Sequence, residues 1–196
     1  MPRTQAERRA TTRAALLDAT VTCLAECGYA GTTTTEIVRR AGVSRGAQVH
    51  HFPTKEALVI AAIDHLLELR LEEYAKAFAE LPDDRRDTGT ALELLWTMFT
   101  GATFAAWIEL VVAGRTDAAL KAELRTVTAR FDQRVAELFA ELYPKQVPDP
   151  ATAAPILQFV FAALEGLAVQ HLLDLDDAPS VLNTLKSLGA VYLPTD

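Results

Sequence analysis

Apolar residues recur at three- and four-residue spacing along almost the whole chain, and no stretch alternates apolar and polar residues well enough to form a strand. That pattern restricts the fold to packed helices, because each apolar stripe must be buried against another. Gly and Pro cluster where the stripes stop. A first helix is expected over about Gln5–Glu26, with Leu16, Leu17, Thr20, Leu24 and Cys27 turned inward and Gly28 ending it. The run from Thr33 to Glu36 fits a capping box that opens a second helix, packed through Ile37, Val38 and Ala41 and ended by Gly42. Ser44 can cap a very short third helix, Arg45–His51, which needs bracing from Val43 and Phe52 at its ends. Thr54 can cap a fourth, Lys55–Ala79. After the polar break "LPDDRRDTG" the helical pattern resumes over Ala91–Phe99, Phe104–Ala113, Thr116–Tyr143, Thr152–Leu173 and Ser180–Tyr192. The expectation is an all-α chain of about nine helices. Residues 1–53 would form a helix-turn-helix domain and 54–196 a larger bundle, with helix 55–79 linking the two.

Half of the 196 residues are hydrophobic, enough for a sizeable core. The polar start does not resemble a signal peptide, and no uninterrupted apolar run reaches the ~20 residues that span a bilayer, so a cytoplasmic protein without a membrane partner is expected. Cys23 and Cys27 read as small buried side chains. The net charge of −7 hides an asymmetry. Met1–Lys55 carries eight Lys/Arg against four Asp/Glu, a net of +4, and the rest carries eleven against twenty-two, a net of −11. A basic head can approach a polyanion while an acidic body stays clear of it.

Enzymatic chemistry finds no support. No glycine loop sits between a strand and a helix. The adjacent His50 and His51 diverge by about 100° on a helix and cannot easily share a metal. His65 and His171 add no ligand spacing, so no metal and no cofactor are expected.

The head has the parts of a DNA reader. Helix two, the tight Gly42-Val43-Ser44 link and helix three form a helix-turn-helix, whose second helix fits the major groove. Arg45 and Gln48 sit about one turn apart on it and can pair with guanine and adenine, each pair contributing roughly 1–3 kcal/mol of discrimination. His50 and His51 are better placed for phosphates. Lys55, with the free amides of helix four, and Thr33 and Thr34, at the start of helix two, are further phosphate contacts. Arg3, Arg8 and Arg9 lie on an arm that can be disordered without DNA. Taken singly, Arg45 and Lys55 could each be ordinary solvated side chains. Their grouping on one capped, glycine-bounded segment favours DNA.

The stretch from Ala15 to His65 resembles the DNA-binding domain of the TetR family of transcriptional regulators, over roughly Arg8–Leu66. The resemblance rests on Ala19, Gly28-Tyr29, Thr33, Ile37, Ala41-Gly42-Val43-Ser44, Gly46, His51-Phe52 and Lys55-Glu56-Ala57-Leu58. It implies a homodimer that binds a palindromic operator, usually as a repressor, with a variable carboxyl-terminal domain holding an inducer pocket and the dimer interface. Two positions depart from the pattern. The family usually has an apolar residue where this chain has Gln48, and Tyr where it has Val49. Either Gln48 faces outward with Val49 inward, or Gln48 is partly buried with a backbone partner. The cost of burying an unpaired amide, a few kcal/mol, favours exposure.

In the body, Trp96, Phe99, Phe104, Trp107 and Phe159 are singly most often core, but the resemblance marks them as candidates for a ligand pocket, together with Thr103 and His171. An apolar or aromatic small-molecule effector suits that composition. Phe161, Leu164, Ala168 and Leu172 on one helix, with Leu185 and Leu188 on the last, are candidates for the dimer interface. The competing reading is a helical ligand-binding or protein-interaction module of the same fold that has lost DNA binding, for which Gln48 and Val49 are the best support.

Overall fold

The computed structural model describes residues 4–144, 149–175 and 177–192, without the side chains of Asp83 and of residues 190–192. Arg3, expected on the basic arm, and the side chain of Tyr192 lie outside this set. The described residues form helices and no strand. They are α1 (Gln5–Gly31), α2 (Thr34–Ala41), α3 (Arg45–His51), α4 (Lys55–Ala79), α5 (Thr88–Met98), α6 (Ala102–Gly114), α7 (Ala118–Leu142), α8 (Pro150–His171) and α9 (Ala178–Tyr192).

Local chemistry explains the boundaries. Thr4 and Glu7 form a reciprocal capping box at α1, so Arg8 and Arg9 sit on a formed helix rather than a loose arm. Thr33 caps α2 by accepting from the Glu36 amide, and Asp87 and Asp149 cap α5 and α8 in the same way. The α5 cap lies upstream of the apolar pattern, which is why that helix starts earlier than its first large side chains suggest. Gly28 breaks the first helical run as expected: it takes φ 68°, ψ 174°, outside the helical region, and a short further turn beyond this kink carries α1 on to Gly31.

The chain divides into two compact units. The first comprises residues 1–67 and 105–127, and the second 68–104 and 128–196. In the first unit, Leu16, Leu17 and Cys23 of α1, Ile37 of α2, Phe52, and Leu58 and Ala62 of α4 form one buried cluster. Leu24, Val59, Ile63, Ala106, Leu110, Leu120 and Leu124 form another. The first cluster fixes the pose of α2 and α3, since a fully buried Leu in such a setting contributes about 2–5 kcal/mol relative to Ala. Cys23 is buried as expected, but Cys27 is exposed, because the kink at Gly28 follows it and the inward stripe runs through Cys23 instead. Arg40 of α2 bridges to Glu26 of α1 at 2.5 Å and to Glu36 at 2.6 Å, tying the two helices at their solvent edge.

The second unit is packed around aromatic rings. Phe139 stacks on Tyr74 and Tyr143, and Phe99 meets Phe104 and Phe161. α8 is long and apolar enough, with a mean hydropathy of 1.6, to cross a membrane by length and composition alone. Gln158 and Glu165 interrupt it, which is why no unbroken apolar run is visible in the sequence. The core helix of a soluble protein passes the same test.

Candidate nucleic-acid interface and ligand cavity

The interface is built on the turn between α2 and α3. Gly42 adopts φ 65°, ψ 30°, and its amide and that of Val43 close back on α2 carbonyls. A Cβ at Gly42 would meet nothing within 4 Å, so the requirement is conformational rather than spatial. Val43 packs, half-buried, against the first core cluster. Ser44 then accepts from the Ala47 amide at 3.1 Å and starts α3.

Gln48 corrects the expectation that it faces out. It is 1% exposed, and its Nε2 donates to the Phe52 carbonyl at 2.6 Å. The backbone partner offsets part of the cost of burial, although Oε1 has no hydrogen-bond partner. Gln48 therefore pins the end of α3 and cannot read adenine from this position. Val49 is 48% exposed and takes the outward place, the reverse of the inward turn that exposure of Gln48 would require. The seven-residue helix must bury the position that points at Phe52, whatever residue occupies it.

Arg45 is exposed and leans on α2, its guanidinium donating to Thr34 Oγ1 at 2.8 Å. Thr34 thus orients Arg45, while the Thr33 oxygen accepts in its cap and leaves the hydroxyl proton to donate. Lys55 departs from the expected phosphate contact. Its ammonium donates to the Tyr29 carbonyl at 2.7 Å and lies 4.1 Å from the centre of the Tyr29 ring, so it ties α4 to the end of α1. Burial holds its pKa below the usual lysine value. On the other side of Tyr29, the backbone amide donates to Glu109 of α6 at 3.1 Å.

His50 is exposed and His51 half-buried, their rings 5.6 Å apart. Burial first, then His50, Arg9 and Arg13, push the His51 imidazole below its ordinary pKa. Gln5, Arg8, Arg9 and Thr12 of α1 face His50 and His51 across a cleft of about 460 Å³.

The second unit holds an apolar cavity of about 650 Å³ among α5, α7, α8 and α9. Of the seven side chains expected to line a pocket, only Phe159 borders it, and that residue is 60% exposed. The others do not gather there. Trp96 meets His171 edge-on at 5.8 Å, and Phe99 and Phe104 pack on each other. Thr103 is buried and accepts from Arg70 at 2.8 Å, and Trp107 packs on the second cluster of the first unit. Leu92, Leu95, Phe139, Tyr143 and Ile156, none of them singled out by the sequence pattern, line the cavity. Phe139, near the end of α7, and Tyr143, just beyond it, are four apart but lie off the main apolar stripe of α7, the one signal that could have separated them from core.

The expected dimer residues also split. Leu164 and Ala168 are buried within the second unit and cannot reach a partner, because the face of α8 that carries them is its core face. Phe161 stacks on Phe131 and meets Phe99 edge-on. Leu185 is half-buried on the cavity wall, whereas Leu172 and Leu188 are exposed, as are Val169, Leu173, Leu175 and Val181.

An all-helical chain that presents a glycine-turned, capped helix beside a basic flank defines a helix-turn-helix regulator. The particular kind follows from comparison. Residues 16–62 match the bacterial regulatory proteins of the tetR family, and residues 89–185 match the carboxyl-terminal domain of BetI-type transcriptional repressors. An HTH-type transcriptional regulator of Mycobacterium tuberculosis is 36% identical over 157 residues, covering 80% of each chain. The HTH-type regulator CymR of Pseudomonas putida is 33% identical over 87% of this chain and 84% of its own. A TetR-family regulator from Rhodococcus sp. has the same fold, with a TM-score of 0.74 at 22% identity over 94% of this chain and 99% of its own. The chain belongs to the TetR family of transcriptional regulators.

Proposed function

We propose that the protein is a cytoplasmic, ligand-responsive repressor that binds a palindromic operator as a homodimer and is released by a small, uncharged, apolar or aromatic effector. The observation that carries this reading is the pose of α3. Gln48 and Phe52 bury its inner side, leaving Arg45 and Val49 on the outer one. Arg45 reads guanine and Val49 offers an apolar contact to a thymine methyl. Thr33, Thr34, Ser44, His50 and His51 contribute backbone contacts, and Lys55 contributes mainly by holding helix α4 in place. The match to BetI-type repressors supports repression over activation.

The cavity of the second unit is the effector site in this reading. Its walls are mostly aliphatic and aromatic, and the ammonium of Lys186, its charged wall residue, is paired with Glu93 at 2.5 Å. Burial pushes the hydroxyl of Tyr143, on the cavity wall, above the usual phenol range, so it stays neutral. Leu172, Leu173 and Leu188, exposed on and beside α8 and α9, suit a partner helix pair. Effector and DNA would then favour different conformations and compete.

Selection of bound duplexes from a random library tests the reading. An enriched palindrome with half-sites about 34–36 Å apart is expected for two α3 helices in successive major grooves. A folded protein that enriches no sequence would favour the module that has lost DNA binding.

A further inference from the structure

We propose that the first turns of α1 and the end of α3 form a seat for a DNA backbone phosphate, and that filling it takes up a proton at His51. This rests on the DNA-binding reading above, which already gives His50 and His51 contacts to the DNA backbone, and adds the α1 wall and a proton linkage to it.

Two elements build the seat. Gln5, Arg8, Arg9 and Thr12 form one wall, and His50 and His51 the other. Among the described residues, no acidic side chain lines the cleft. The nearby Glu7 is held in its capping box, where it accepts from the Thr4 amide at 2.7 Å. The box also holds α1 helical from Gln5, so Arg8 and Arg9 project from a formed helix. The groups that act on His51 are His50 beside it, Arg9 across the cleft, and Arg13, whose guanidinium lies over the Phe52 ring at 5.6 Å. All are cationic or can become so.

That arrangement dictates the linkage. In the free protein partial burial, and then the neighbouring His50, Arg9 and Arg13, favour the neutral imidazole of His51. A phosphate in the cleft reverses the sign of the local field and favours the imidazolium. DNA binding then draws a proton from solvent wherever the imidazole is neutral free and charged bound, and affinity falls as pH rises through that window. The cleft suits a strand rather than a loose anion. It is open, its donors sit on side chains near the surface, and His50 adjoins the exposed Val49 on α3. A polyanion sums many such weak contacts, whereas a single anion needs an enclosed set of donors.

The test needs no operator, because phosphate contacts are independent of sequence. Binding of the full-length protein to a labelled random-sequence duplex is measured across pH and salt for wild type, Arg9→Gln, the double variant His50→Gln/His51→Gln, and Arg125→Gln, an exposed charge on α7. Wild-type affinity is expected to fall roughly three- to tenfold between about pH 6 and about pH 8. The histidine double variant should lose most of that dependence. Arg9→Gln should weaken binding at every pH and lower the salt slope by about 0.9, the value for one neutralised phosphate. Arg125→Gln should do neither. A double variant with the wild-type pH profile, or Arg9→Gln with an unchanged salt slope, overturns the seat and leaves DNA binding standing. A wild-type chain that binds no duplex overturns both. In the wild-type protein, the His51 ring proton followed by NMR should titrate higher with duplex but not with inorganic phosphate at equal ionic strength. An equal shift with phosphate alone would make this a free-anion site and overturn the assignment to DNA.

Discussion

Replacing Gly28 with Ala tests how α1 is joined to α6. At φ 68°, ψ 174°, Gly28 occupies a region of backbone space that is almost closed to other residues, and forcing Ala into it costs about 1–3 kcal/mol. Space is a second obstacle. An added Cβ would lie 2.6 Å from Glu109 Oε2, so the carboxylate must swing away and give up the Tyr29 amide. That hydrogen bond is solvent-exposed, so its loss adds only about 0.5–1.5 kcal/mol. The expected total is about 2–4 kcal/mol, or roughly 5–15 °C in Tm for a chain of this size. Circular dichroism on heating, at one fixed protein concentration, reads it. Adding Glu109→Ala separates the two causes: the backbone term should persist, while the Gly28→Ala penalty shrinks by the hydrogen-bond term. A Gly28→Ala protein within about a degree of wild type would refute the strained kink. An unchanged penalty in the Glu109→Ala background would refute the contact with Glu109.

Four shorter predictions follow from the same contacts. Gln48→Leu should fold and keep the base preference of wild type in the duplex selection, because the side chain faces Phe52; an altered preference would show that it reaches DNA. Gln48→Glu should be destabilised by several kcal/mol near neutral pH and partly rescued in acid, since it aims a buried carboxylate at the Phe52 carbonyl, and urea unfolding at two pH values would show it. Hydrogen bonds from Arg39 and then Arg40 hold the Glu36 carboxyl at about 2, below its unfolded value. The stability this adds is present above the unfolded carboxylate range and is lost as pH falls toward 2, so Glu36→Gln should lower Tm at neutral pH and match wild type in strong acid. Val160→Trp, on the cavity wall, should leave DNA binding intact and abolish its relief by effector; full relief would place the effector elsewhere.

Helix content, the capped turn before α3 and the basic head were all legible in the sequence. Each depends on interactions within a few residues: Thr33 with Glu36, Ser44 with Ala47, and Gly42 with the carbonyls behind it. The helix-turn-helix motif lies within that range, so its residues announced both fold and class. Tertiary structure decided which way side chains point when a helix is too short or too apolar for its period to choose. In seven residues of α3, contact with Phe52 buried Gln48 and exposed Val49, against the ordinary polarity of both. Along α8 almost every position is apolar, so only packing could assign Leu164 and Ala168 to the core and leave Phe159 and Leu172 outside it. Lys55 shows the same limit for charge: a free cation by composition, it is held by the carbonyl and ring of Tyr29, a partner 26 residues away that no local pattern reveals.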